Sequence, residues 1–197
     1  MKQHESERFI ADLNTVSRLC AVENYGDARS ILKLMTEVLR YEYHRRFQLV
    51  PIGTELRAAE DFLSLYTARF ADRLVSSVSN PEDGTVSFVP HYTVLTFVKN
   101  SLYHAFTGTE PAWRVSIRVE DYQNQTTIVI SDNGCGFDPS LYVGLDRSPI
   151  EQGSDTDYGS IPSTVARLAS YYGDRYSLDV QSTSETGTQV VISVPKG

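Results

Sequence analysis

Apolar residues along the first 74 positions recur at steps of three and four. Phe9, Leu13, Val16 and Cys20 form one series, Ala28, Leu32, Met35 and Leu39 a second, and Leu56, Ala59, Leu63, Tyr66 and Phe70 a third. A helix returns a side chain to the same side every ~3.6 residues, so the spacing predicts three helices, each with one apolar stripe. Asn24-Tyr25-Gly26-Asp27 separates the first two and Val50-Pro51-Ile52-Gly53 the last two, with Thr54 placed to cap the third. A narrow stripe kept for more than two turns suits one of two uses: a pairing seam between two copies, around Leu13, Met35 and Leu63, or closure of the chain's own core.

Beyond Asn80-Pro81-Glu82-Asp83-Gly84 the period changes. Trp113 to Glu120, Thr126 to Ser131, Tyr176 to Ser182 and Gln189 to Val194 are rich in β-branched and aromatic residues, several with the two-residue alternation of a half-buried strand. Two helical stretches interrupt them. Tyr92 to Phe106 carries Val94, Val98 and Leu102 on one side, and Ile161 to Tyr172 carries Val165, Leu168, Ala169 and Tyr172, with Pro162 in the first turn, where a missing N–H is harmless. From Asp138 to Tyr158 no period survives, and the prolines, glycines and small polar residues predict a long loop. Loops of that length within a compact domain are uncommon and usually functional. Helices first and mixed strands and helices afterwards make an α+β chain.

Composition narrows the class without changing this picture. The 197 residues are 41% hydrophobic and 22% charged, as in ordinary globular proteins. Eighteen Lys and Arg against 25 Asp and Glu leave a net charge of -7, the wrong sign for coating nucleic acid or an anionic membrane, so neither is an expected partner. Cys20 and Cys135 belong to no paired motif, which leaves neither a disulfide framework nor a zinc ligand set and fits a reducing cytosol. No apolar run approaches the ~20 residues that span a bilayer, and Met1-Lys2-Gln3-His4-Glu5-Ser6-Glu7 lacks the apolar stretch expected of a signal peptide.

Candidate chemistry clusters in the second half. Asp132-Asn133-Gly134-Cys135-Gly136-Phe137 ends a predicted strand, so a carboxylate and two glycines stand where the strand releases into the long loop. Glycine lets a ligand approach the backbone, and a carboxylate accepts a hydrogen bond from an exocyclic amine such as adenine's. Alone, D-N-G is far more often only a turn. On the preceding helix, Thr96, Asn100, Tyr103 and His104 share one face by spacing; an Asn oxygen can ligate Mg²⁺, and His104 one turn on could touch an anion. Tyr158-Gly159-Ser160-Ile161-Pro162 then opens a helix whose free N–H groups suit phosphate, and Gly187-Thr188 precedes the last strand.

In that order, a helix with Asn, D-N-G-x-G after a strand, a long loop, a glycine-containing helix start and Gly-Thr before a final strand, the chain resembles the GHKL superfamily of Bergerat-fold ATPases. More narrowly it resembles the LytS-type sensor histidine kinases. Leu13-Asn14-Thr15-Val16 is similar to their L-N-T-I, Leu39-Arg40-Tyr41 to L-R-Y, and Glu55-Leu56, Phe62-Leu63 and Arg69-Phe70 to E-L, Y-L and R-F. Val89-Pro90 and Val98-Lys99-Asn100-Ser101-Leu102-Tyr103-His104 resemble the lead-in and the box V-E-N-A-I-K-H, and Arg167-Leu168 with Tyr172-Gly173 the later R-L and Y-G.

The resemblance implies a helical dimerisation region over 1–75 and, over 76–197, a Bergerat-type α/β sandwich: a mixed sheet with helices on one face. It implies ATP and Mg²⁺ as cofactors, a response regulator as partner, a homodimer, and a cytoplasmic place, free or as the cytoplasmic part of a membrane-attached sensor. Asp132 would take the adenine amine, Asn100 would ligate Mg²⁺, Gly134 and Gly136 would leave room beside the base, His104, Gly159 and Ser160 would line the phosphates, and Thr188 would stand near the adenine. The 138–158 loop would be the lid.

The pattern fails at instructive places. In register with L-N-T-I, Glu7 stands where the phosphoacceptor histidine of P-H-F-L-F-N belongs; a carboxylate cannot take that role, and His4 lies out of register, so no catalytic residue is assigned. Lys99 replaces the usual Glu, Tyr103 the usual Lys, and the box G-x-G-x-x-N becomes Tyr158-Gly159-Ser160-Ile161-Pro162-Ser163. Three functions therefore remain open: the ATP-binding catalytic region of a two-component histidine kinase, a degenerate relative that binds nucleotide or nothing and acts as a dimeric regulator of a true kinase or response regulator, and an ATP-driven conformational machine or hydrolase of the wider superfamily.

Overall fold

The computed structural model describes residues 2–43, 48–70, 73–79, 87–106, 112–138 and 159–196, with side chains in the first helix from Ile10 onward. All of the expected lid except Asp138 lies outside the described residues. The helical half forms α1 (Lys2–Ala21), α2 (Tyr25–Tyr43) and α3 (Ile52–Phe70), with a short strand β1 (Leu49–Pro51) between the last two. Next come β2 (Leu74–Ser79), β3 (Phe88–Pro90), α4 (Thr93–Asn100) continued by a π-helical turn (Ser101–Ala105), β4 (Trp113–Asp121), β5 (Gln125–Asp132), α5 (Ile161–Tyr172), β6 (Ser177–Thr183) and β7 (Gly187–Pro195).

Five strands make one mixed sheet in the order β2-β4-β5-β7-β6, parallel between β2 and β4 and antiparallel elsewhere. Strand β4 shows why: Trp113, Val115, Ile117 and Val119 point into the core while Arg114, Ser116 and Arg118 point to solvent, which buries one face only. Ile128 and Ile130 of β5 and Val190 and Ile192 of β7 continue that inner face, against Leu63 of α3, Leu95 of α4 and Leu168 of α5. Strands β1 and β3 pair separately and antiparallel, Val50 opposite Val89.

Three expectations are corrected. Thr54 does not cap α3, because the helix already begins at Ile52. On α2 the buried stripe is Ala28, Ile31, Met35 and Val38, leaving Leu32 exposed. Both sides of this helix carry apolar residues, and packing against α1 and α3 chooses between them. Met35 and Leu63 of the expected pairing seam are spent inside the chain's own core, whereas Leu13 stays 42% exposed.

Helix α4 begins in an unusual way. Tyr92, just before it, has φ of 73°, the left-handed region that non-glycine residues rarely occupy. Glu55 of α3 compensates: its buried carboxylate accepts hydrogen bonds from the N–H groups of Tyr92 (2.5 Å), Val94 (2.7 Å) and Leu95 (3.4 Å) and from the Tyr41 hydroxyl. A carboxylate there satisfies N–H groups that the helix itself cannot pair and sits at the positive end of its dipole.

Candidate functional site

Helix α4 and its π-turn, the inner faces of β5, β6 and β7, and the start of α5 enclose a cavity of about 330 Å³. Its wall is apolar at Phe97, Ile130, Ile161, Val180 and Val190, and polar at Asn100, Ser101, His104, Asp132 and Thr188. A lining of this kind suits a mostly apolar group with a few polar atoms at its edge.

Asp132, the last residue of β5, is the buried charge of this wall. Its Oδ1 accepts the N–H of Gly134 at 3.0 Å and of Thr188 at 3.3 Å, and its Oδ2 accepts the Ser101 hydroxyl at 2.6 Å. Three donors make burial of the carboxylate tolerable, and a carboxylate with about four lone-pair sites retains acceptor capacity toward the cavity. Local structure places it there: β5 pairs Asp132 with Thr188 of β7 and Val115 of β4, and the Asn133 side chain ties the strand end to Arg114 N–H and Ala112 C=O.

The glycines beyond Asp132 serve close packing. A Cβ on Gly134 would stand 2.2 Å from Ala105 Cβ, and Gly136 has φ of 64° with Thr183 C=O 2.3 Å from where its Cβ would be. The strand end can thus lie against the π-turn, and Cys135 N–H donates to Ala105 C=O at 2.8 Å. Phe137 N–H donates to Ser182 Oγ at 2.9 Å, and Ser182 and Thr188 share a hydroxyl contact at 3.0 Å. Gly136 therefore reaches the cavity wall, while Gly134 stands behind it.

Asn100 donates Nδ2–H to Thr96 C=O at 2.8 Å, which leaves Oδ1 as the atom suited to a cation. Among the described residues no group of three or more His, Cys, Asp or Glu side chains could hold a metal. A hard ion such as Mg²⁺ bound through one oxygen ligand and a nucleotide's phosphates is compatible with that donor set. Below Asn100 the π-turn takes more than four residues per revolution, so His104 follows it along the cavity while Tyr103 turns inward to Phe62 and Tyr66. Tyr103 thereby leaves the polar face that helical spacing predicts.

The other expected phosphate residues stand off the wall. Ser160 caps α5, its Oγ accepting Ser163 N–H at 3.3 Å, and Gly159 lies against the Tyr92 ring. Arg167 binds Ser163 and Thr164 hydroxyls at 2.7 and 2.8 Å, and Thr164 meets Thr96 at 3.0 Å, fastening α5 to α4 across the back of the cavity. Sequence reasoning missed Ser101, Ser182 and Asn133, whose roles come from partners 19 to 45 residues away.

A profile of the histidine kinase-, DNA gyrase B- and HSP90-like ATPases matches residues 88–197, more than half of the chain, and a histidine kinase profile matches residues 9–74. The chain belongs to this ATPase family. Two LytS sensor proteins illustrate its histidine-kinase branch: that of Bacillus cereus is 26% identical over 93% of this chain, and that of Staphylococcus haemolyticus 26% identical over 95%. The chain spans about a third of the length of these curated relatives, 31% and 32%. A nucleotide-free crystal form of the catalytic domain of histidine kinase ThkA shares the fold with a TM-score of 0.52 at 12% identity, covering 77% of this chain and 98% of that one. The mixed five-stranded sheet with helices against it is thus the catalytic-domain fold of the histidine-kinase-like ATPases, preceded by N-terminal helices.

Proposed function

We propose that this chain is the ATP-binding catalytic region of a two-component sensor histidine kinase, with the nucleotide in the cavity between α4, α5 and the sheet. The observation that carries the reading is the buried Asp132 carboxylate, held by three donors at the edge of an apolar box. Adenine offers an exocyclic N–H to such an acceptor and two apolar faces to Ile130, Val180 and Val190. Asn100 Oδ1 would hold Mg²⁺, whose chemistry is to neutralise phosphate charge, and His104 and the lid would attend the phosphates. The helical region over 1–75 would pair two copies through the apolar residues that α1 and α2 leave exposed, Ile10, Leu13 and Leu32. A response regulator would be the protein partner, and the cytoplasm, free or below a membrane-attached sensor, the place of action. Among the described residues no helix is long and apolar enough to cross a membrane.

A second reading is favoured by one feature of the sequence: in register with the family's L-N-T-I, Glu7, within α1, stands where the acceptor histidine would be. The chain would then bind nucleotide or nothing, phosphorylate no histidine of its own, and act as a dimeric regulatory module. Calorimetric titration with ATP, with and without Mg²⁺, tests the first reading, and the absence of binding refutes it and leaves the regulator. Incubation of the Glu7→His variant with MgATP then separates them: acid-labile, base-stable phosphate gained by that variant supports a competent kinase catalytic region that lacks only its acceptor, and no gain supports the regulator.

A further inference from the structure

Lys99 and Tyr103, two departures from the family's V-E-N-A-I-K-H pattern, meet each other and not the cavity. Lys99 is buried, and its Nζ lies 2.8 Å from Glu42 Oε1 at the C-terminal end of α2 and donates to Tyr92 Oη at 2.8 Å. Tyr92 Oη in turn donates to the same Glu42 oxygen at 3.0 Å. The rings of Tyr92, Tyr103 and Phe62 surround the ammonium at 5.5, 5.6 and 5.7 Å. Burial works against the lysine's charge, but the Tyr92 oxygen and the Glu42 carboxylate outweigh it and hold the ammonium above its ordinary pKa. The family's Glu and Lys, four residues apart on a helix, are spaced to pair along its surface. Here Tyr103 offers a π-face instead, and the carboxylate comes from a helix 57 residues earlier.

The consequence is positional. Lys99 immediately precedes Asn100, and Tyr92, in its left-handed conformation, both opens α4 and faces Gly159 at the foot of α5. Glu55 of α3 holds the start of the same helix. Helix α4 is therefore tied to the helical half at both ends by carboxylates. We infer that Lys99 is a positioning residue: with Glu42 and Tyr92 it forms an ionic joint through which the end of α2 sets the placement of Asn100 at the cavity. Its effect on Mg²⁺ rests on the proposed nucleotide site; the joint itself does not.

The experiment uses the full chain carrying Glu42→Gln, Lys99→Met, Lys99→Glu, or Lys99→Glu combined with Glu42→Lys. Amide hydrogen exchange over Val94–Asn100 and the ratio of ATP dissociation constants in EDTA and in Mg²⁺ are measured for each. In the three single variants, exchange in α4 rises about tenfold or more while β5 and β7 stay protected, since a local joint opens without global unfolding. The ratio falls toward one, while ATP affinity in EDTA, resting on Asp132, changes little. Lys99→Glu alone is the most damaging, because it faces Glu42 with a second carboxylate, and the charge-swapped pair restores both readouts. Unchanged α4 exchange in Glu42→Gln overturns the joint, and loosened α4 with an unchanged ratio overturns its role at Asn100. If a Lys99 variant fails to fold, Glu42→Gln decides alone. A wild-type chain that binds no ATP refutes the nucleotide reading, and α4 exchange still decides the joint.

Discussion

Replacing Asp132 by Asn tests the cavity's chemistry by exchanging a single heavy atom, one carboxylate oxygen for an NH₂ nitrogen. The amide oxygen can keep the contacts of Oδ1 with Gly134 N–H and Thr188 N–H, and the Ser101 hydroxyl can turn to accept from the new NH₂. The fold should therefore persist, as circular dichroism can verify. What is lost is the charged acceptor that faces the ligand, now replaced by a donor that opposes adenine's own N–H. A hydrogen bond to a charged group contributes about 1.5 to 3 kcal/mol, so ATP affinity should fall about 10- to 150-fold. A thermal readout follows by linkage: ATP at ~100 times its dissociation constant stabilises the wild type by about 2.7 kcal/mol, and the same concentration stabilises a variant weakened ~100-fold by only about 0.4 kcal/mol. The new NH₂ suits the carbonyl of guanine, so preference for ATP over GTP should shrink as well. Asp138→Asn, on an exposed carboxylate six residues on, is the control and should change affinity less than about twofold. Equal dissociation constants for the two variants would remove Asp132 from the site.

Three further outcomes are expected. The unmodified chain forms no acid-labile phosphohistidine with MgATP, and its detection, at His4 or elsewhere, refutes the assignment of Glu7 as a lost acceptor; Glu7→His gains such a product if only the acceptor is missing. Burial, opposed by the Tyr41 hydroxyl and three N–H groups, holds Glu55 above its ordinary value of 4.5. Its contribution to stability is then whole below about pH 4.5 and is lost as pH rises through the folded-state value. The stability difference between wild type and Glu55→Gln, from denaturant titrations at a series of pH values, should fall with rising pH; a flat or rising difference contradicts this. Light scattering at tens of micromolar, roughly where modest interfaces still associate, should find a dimer for the wild type and a monomer for Leu13→Glu with Leu32→Glu, and a monomeric wild type refutes the pairing surface.

Features that depend on near neighbours were legible from the sequence. Helix α5 runs over the same residues as its apolar period, Ile161–Tyr172, and β4 to β7 fall within two residues of the alternating segments, because a period of 3.6 or 2 is a local property. The places of Asp132 at a strand end and of Asn100 on a helix were legible too, because both follow from the local period, and both residues line the cavity. Strand β2 was not. Leu-Val-Ser-Ser-Val-Ser is an edge strand, half of it serine and without strict alternation, and only parallel pairing with β4, nearly forty residues later, makes it part of the sheet. Strands β1 and β3 are three residues each and exist only as a pair.

The same division runs through the site. Sequence alone identified Lys99 and Tyr103 as departures, yet a charge inverted in a motif says nothing of where its counter-charge lies. Tertiary packing supplied Glu42 from α2 and turned Tyr103 inward through the π-turn, so the departures became parts of one buried cluster. It also gave Asp132 its Ser101 partner and α4 its Glu55 cap. Periodicity reports which face of an element is apolar. Which buried charge meets which donor depends on elements far apart in the chain, because burial makes an unmatched charge costly and only the assembled fold brings its match within reach.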